Sequence, residues 1–242
     1  MSRKNGERRW DVRVDRVVAS LALVAVAVGC SATQKVDVKR KPGTCVFLRP
    51  IVCAKLTPGS GEQVGLRYVN PDARWRQYKK IMILPITFWG DAVQKKISDA
   101  DQQVLANYFY ATLVQHLGKK FQIVDQPGAG VMRLQVAITD AETATPVMRT
   151  ISMAVPQARA LATLQRLATG TYSFAGAAQG EAELTDSVTG QVLAAAMDRR
   201  VGGGSVKTAA QWTLGDAQYA MDHWAEQVTD RLSSWTSGAA TP

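Results

Sequence analysis

The sequence predicts an α+β fold in which helices pack on one face of a mixed or mainly antiparallel sheet, and three features carry that expectation. Val131 to Thr139 alternates Met132, Leu134, Val136 and Ile138 with Arg133, Gln135 and Ala137, the period-two signature of a strand with one face buried. Tyr172 to Leu184 and Gln191 to Val201 flank Asp186-Ser187-Val188-Thr189-Gly190, a hairpin connection in which Gly190 can take a positive φ. Two helical stripes stand apart in the chain, and local strand pairing with separated helices favours a layered sandwich.

In chain order, residues 31–44 are polar, basic and punctuated by Pro42 and Gly43, the composition of a flexible tether. Thr57 to Gly61 forms a second loop-rich patch. Val64 to Val69 then leads into the turn signal Asn70-Pro71-Asp72, and Lys80 to Trp89 has the apolar density of a central strand. Pro85 cannot donate a ladder hydrogen bond, so it marks a bulge, a strand end or an edge. Ser98 and Asp101 resemble a capping box and start a helix running toward Gly118, with Leu105, Tyr108, Phe109, Leu113 and Leu117 as its buried stripe. Phe121 to Val124 reads as a short strand and Gln126-Pro127-Gly128 as a turn. Residues 157–168 follow Pro156 and fit a short helix with a modest apolar stripe, while Gly202 to Gly204 form a loop. Ala217, Met221, Trp224, Ala225, Val228 and Leu232 recur at helical spacing and define an amphipathic C-terminal helix ending near a polar tail.

Ahead of these elements, the first 29 residues have the layout of an export signal. Arg3, Lys4, Arg8, Arg9, Arg13 and Arg16 outnumber Glu7, Asp11 and Asp15, and a positive start is retained on the cytoplasmic side. The apolar run Val17 to Val28 is too short for a hydrocarbon core of about 30 Å, which takes roughly 20 helical residues. Ala27-Val28-Gly29-Cys30 is similar to the lipobox of bacterial lipoproteins, although alanine stands where leucine is usual. That similarity implies that Cys30 receives a diacylglyceryl group. By analogy with Gram-negative lipoproteins, Ser31 after the cysteine implies sorting to the outer membrane, on its periplasmic side. The expected organisation is a signal peptide over residues 1–29 and a lipid-anchored basic tether with the cysteine loop over 30–60. A single α+β domain over 61–236 and a disordered tail over 237–242 complete it.

Charge and cysteines narrow the function classes. Six of the 29 basic and three of the 20 acidic residues fall in the leader, so the remainder keeps a formal charge of +6. The densest basic cluster, Lys35, Lys39, Arg40 and Lys41, lies just after Cys30, where anionic head groups or plain solvation account for it; a nucleic-acid surface would interleave such charge with aromatics on one face. Cys45 and Cys53 remain as the natural pair in an oxidising compartment, provided their Cα atoms come within roughly 4.4–6.8 Å. Their spacing, and the distance of His116 and His223 in sequence, do not suit a zinc site. No cofactor motif is legible.

Motifs for catalysis are equally sparse. The G-x-S-x-G elbow and a zincin helix do not occur, and Gly202-Gly203-Gly204-Ser205 has no lysine placed as in a P-loop. Asp186, Thr189 and Gly190 read as turn formers, Asp198 with Arg199 and Arg200 as an exposed charge cluster, and the two histidines as surface or packing residues. Trp75, Trp89, Trp212, Trp224 and Trp235 read as core aromatics.

Several fragments, taken in order, resemble one family. Val46-Phe47-Leu48, Leu66 to Asp72, Trp75 to Tyr78, the strand ending in Leu84-Pro85, the run Gly180 to Gly190 and Leu193 to Arg200 are similar to the bacterial lipoproteins grouped as domain of unknown function 3313. The resemblance covers most of residues 45–204. It implies an exported, lipid-anchored protein with no assigned reaction. The expected function is therefore a noncatalytic binding or scaffold module at the outer membrane, with an envelope protein or glycan as partner. The alternative is a hydrolase-like envelope enzyme whose site is assembled from scattered residues.

Overall fold

Two long strands joined by the turn at residues 186–190 organise the sheet. The computed structural model describes residues 33–38, 44–142, 177–202 and 215–240. Among these, the strands are β1 (Thr33–Val36), β2 (Thr57–Pro58), β3 (Leu66–Val69), β4 (Lys80–Ile83), β5 (Thr87–Phe88), β6 (Gln122–Ile123), β7 (Val131–Glu142), β8 (Ala177–Asp186) and β9 (Val192–Gly202). The helices are α1 (Pro50–Cys53), α2 (Asp91–Lys96), α3 (Asp99–Leu117) and α4 (Gly215–Ser237). Strand order is β2-β3-β9-β8-β7-β4-β6, with β1 on β9 and β5 on β7. The sheet is mixed: β4 runs parallel to β6 and β7, β5 runs parallel to β7, and the other pairs are antiparallel.

The predicted hairpin forms because Asp186 closes its own turn. Its Oδ1 accepts from the Val188 N–H (3.0 Å), the Thr189 N–H (2.8 Å) and the Thr189 hydroxyl (3.0 Å), and Gly190 takes φ +70°. Burial works against the Asp186 carboxylate, but these bonds and one from the Tyr78 hydroxyl outweigh it and hold its pKa below the ordinary value.

Lys80 to Trp89, expected as one strand, is two. Ile83 pairs with Leu134 and Thr87 with Ala137, so residues 84–86 oppose only residues 135 and 136. Pro85 sits in that one-residue surplus, ending β4 where its missing N–H would otherwise interrupt the ladder. A matching division occurs on the outer edge of β9, where β3 pairs with Ala194–Met197 and β1 with Arg199–Gly202. Residues 33–36, expected in a flexible tether, are thereby a strand, because the exposed backbone of β9 beyond β3 needs partners. Packed structure also begins before residue 61, since α1, β2 and the cysteine loop all lie upstream. The expected helix at 157–168 lies outside the described residues, as does Cys30.

Most of the core lies on one face of the sheet, under α3 and α4. On α3, Ser98 Oγ accepts from the Asp101 N–H as the capping pattern predicts, and Leu105, Phe109, Leu113 and Leu117 are buried. Tyr108, the remaining member of the expected stripe, is half-buried and donates its hydroxyl to Asp222 Oδ1 of α4 (2.6 Å). Burial and that carboxylate push its pKa up to about 12. Alternation places Leu66, Ala195 and Met197 on the opposite face, where Leu48, Val52 and Leu56 cover them as a smaller apolar cluster.

Candidate functional site

The smaller face is held by acids that the sequence left without a role. Glu181 on β8 is fully buried, and its carboxylate accepts from the backbone N–H groups of Val46 (2.8 Å), Phe47 (3.0 Å) and Leu48 (2.8 Å). Two residues along the same face, Glu183 pairs with Arg49 at 2.8 Å. Cys45 and Cys53 form a disulfide with Cα atoms 6.1 Å apart, closing the same loop from the other side. These groups fix a loop to a sheet. The sequence signal for them is the alternation Glu181-Ala182-Glu183 within a strand, which puts both acids on one face.

A second buried polar cluster stands on the helix face. Asp198 and Arg200 are each 3 % exposed, so the charge cluster expected at the surface is interior. The cause is position: β9 is flanked on both edges, and its alternate residues turn toward α4. Asp198 accepts from the Gly65 N–H (2.7 Å), Arg200 Nε (3.1 Å) and Trp224 Nε1 (2.9 Å). Arg199, on the other face, pairs with Asp140 at 2.6 Å, and Lys96 reaches the same carboxylate at 3.0 Å. Burial opposes ionisation of Asp140, and these two cations overcome it, so its pKa is lowered.

His223 lies beside this cluster. Burial and the Arg200 charge lower its pKa, with Asp198, Glu226 and Glu62 acting in the opposite sense. No hydrogen bond joins it to His116, which sits in the last turn of α3. Among the described residues no group of His, Cys, Asp and Glu side chains is arranged to hold a metal ion, and no helix is long and apolar enough to cross a membrane.

Between α4 and the sheet lies a cavity of about 180 Å³. Its floor is made of small residues from the hairpin, Gly180 and Ala182 of β8 with Ala194 and Ala196 of β9. All four are only half-buried although they face a helix, as is Val228 above them. Trp224 and Trp235 wall the cavity together with Phe109 and Leu113. Trp224 is held in place by its bond to Asp198, and a Cβ on Gly180 would come within 3.3 Å of its ring. The rim is polar. Gln63 and Arg67 approach from the sheet side, and Gln227 and Arg231 from α4. Arg67 has its proton affinity lowered by burial and by the nearby charge of Arg231.

A model of the family described as "Protein of unknown function (DUF3313)" matches residues 47–228. The chain belongs to the DUF3313 family. Within this DUF3313 domain the matched span contains both buried acids of β8, the Asp198 cluster and most of the cavity, while β1, Cys45 and Trp235 lie outside it. No curated protein sequence matches the chain. Among solved structures, the DUF3313 protein is similar to the PelC dodecamer from Paraburkholderia phytofirmans, at 11% identity and a TM-score of 0.38. That likeness covers 66% of this chain and 94% of that one. It is also similar to protein XCC0632 from Xanthomonas campestris, at 12% identity and a TM-score of 0.38, over 71% of this chain and 94% of that one.

The cavity was not legible from motifs, since apolar walls carry none. Its trace in the sequence is the set of small residues at alternate positions on both strands of one hairpin, Gly180 and Ala182 on β8 and Ala194 and Ala196 on β9, with Ala182 directly opposite Ala196.

Proposed function

We propose that this DUF3313 protein is a lipid-anchored, noncatalytic binding module held on the periplasmic side of the outer membrane, with the cavity beneath α4 as its binding element. The observation that carries the binding part is an apolar space left open where close packing would call for larger side chains. Its walls are rigid aromatics and strand residues, and its mouth is polar, the ordinary anatomy of a small-ligand site. The acids nearby are engaged in the fold: Asp198 takes three hydrogen bonds and Glu181 another three. Anchoring is supported by the basic leader, the short apolar run and the lipobox-like Ala27 to Cys30.

Two measurements test the proposal. Intact mass of the protein extracted from cell envelopes should show a chain beginning at Cys30 with a diacylglyceryl adduct, fractionating with the outer membrane. Cys30→Ala should lack both the adduct and the cleavage. An uncharged apolar probe, octanol, should shift the tryptophan emission of the wild type through Trp224 and Trp235, the two tryptophans that line the cavity, and Ala196→Phe, which fills the floor, should abolish the shift. A silent wild type would sink the binding element.

A further inference from the structure

We propose that the cavity takes the short apolar end of a small anionic amphiphile, whose acidic head group is held at the mouth between Arg67 and Arg231. This names the ligand class for the binding element proposed above and rests on it. Size sets the apolar part. An engineered cavity of roughly 150 Å³ lined by aliphatic and aromatic side chains admits benzene. At about 180 Å³ this cavity suits a segment of about that size or slightly longer.

Charge sets the head. Arg67 of β3 and Arg231 of α4 both line the cavity, and Arg231 stands close enough for its charge to act on the Arg67 guanidinium. Neither makes an ion pair among the described residues. Like charges at a low-dielectric mouth repel, and the lowered proton affinity of Arg67 registers both its partial burial and that repulsion. A single anion between them replaces the repulsion by two attractions, and each guanidinium presents a planar fork that matches a carboxylate or phosphate. A cationic head would add a third like charge. A neutral head would leave the two arginines facing each other.

The test compares three eight-carbon chains at matched ionic strength on the complete mature protein: octanoate, octanol and octyltrimethylammonium, read as the change in tryptophan emission. Octanoate is expected to bind at least about tenfold more tightly than octanol, and the cation most weakly. In the double variant Arg67→Gln/Arg231→Gln, octanoate should bind no more tightly than octanol does to that same variant, and a persisting response to octanol shows that the cavity is intact. Ala196→Phe should remove the response to both. Equal affinity for octanoate and octanol in the wild type overturns the head-group assignment and leaves the binding element standing. No response to any chain overturns both together.

Discussion

A buried carboxylate that accepts three backbone N–H groups carries a strong consequence for substitution. Glu181→Ala would orphan the N–H groups of Val46, Phe47 and Leu48, of which Leu48 is the most deeply buried. An unsatisfied buried donor costs roughly 1–3 kcal/mol, and only the Leu48 bond is fully buried, so a loss of about 1–3 kcal/mol in unfolding free energy is expected from urea titration. A loss below about 1 kcal/mol would mean that water replaces the carboxylate. His223 gives a second residue-level expectation. Its folded pKa lies below the value near 6.5 that it has unfolded, so it favours folding above 6.5 and that contribution is lost as pH falls through the folded pKa. Asp140 and Asp186, also lowered, act in the same sense, but only below the ordinary aspartate value of about 3.9. The urea midpoint should therefore decline from pH 7 to pH 5 in the wild type, and His223→Gln should flatten that decline. An unchanged slope would remove His223 as its cause.

At the scale of elements, the parts governed by local rules were the readable ones. The turn Asp186–Gly190, the Ser98 cap and the α3 stripe all follow from contacts within a few residues, and the structure contains each of them, whereas the alternation of β7 holds only through Met132–Val136, since Ala137 and Thr139 on its other face are buried as well. What the sequence hid depends on distant partners. The Lys80 to Trp89 run reads as one strand because only the register against β7 reveals the surplus residue at Pro85. Thr33–Val36 reads as tether because its pairing partner stands about 165 residues later. Asp198 and Arg200 read as surface charge because the Gly65 N–H and the Trp224 indole that donate to Asp198 come from other elements, and Asp198 in turn accepts from Arg200. Val228 belongs to the predicted α4 stripe yet stays half-buried, since it lines the cavity. The loop between Cys45 and Cys53 combines both kinds: its disulfide was expected from compartment, its docking on Glu181 was not. Chain-entropy reasoning assigns a closed loop of this length about 2.5 kcal/mol. The double variant Cys45→Ser/Cys53→Ser should lower stability by about that amount, and adding reductant should then change nothing further. A variant as stable as the oxidised protein would show that Glu181 and the apolar cluster hold the loop unaided.

At the scale of the whole molecule, the position of β1 changes what anchoring would mean. In the proposed acylated form only Ser31 and Ala32 separate the lipid-bearing residue from Thr33, where a long tether was expected. Three residues reach at most about 10 Å. Thr33 pairs with Gly202, so the end of the sheet where β9 finishes would be kept next to the head groups. The hairpin tip stands at the other end of β9, whose length at about 3.3 Å per residue is on the order of 35 Å. Val188, 66% exposed at that tip, and Lys35 in β1 thus report on opposite ends. With donor fluorophores on Val188→Cys or Lys35→Cys in acylated protein on vesicles bearing acceptor lipids, energy transfer should be high from position 35 and low from position 188. Inserting twenty Gly and Ser residues between Ala32 and Thr33 should lower the transfer from position 35 while leaving acylation and fold unchanged. Equal transfer from both positions without the insertion would mean that the sheet lies along the bilayer, which would bring α4 or the opposite face, and not the strand ends, against the lipid.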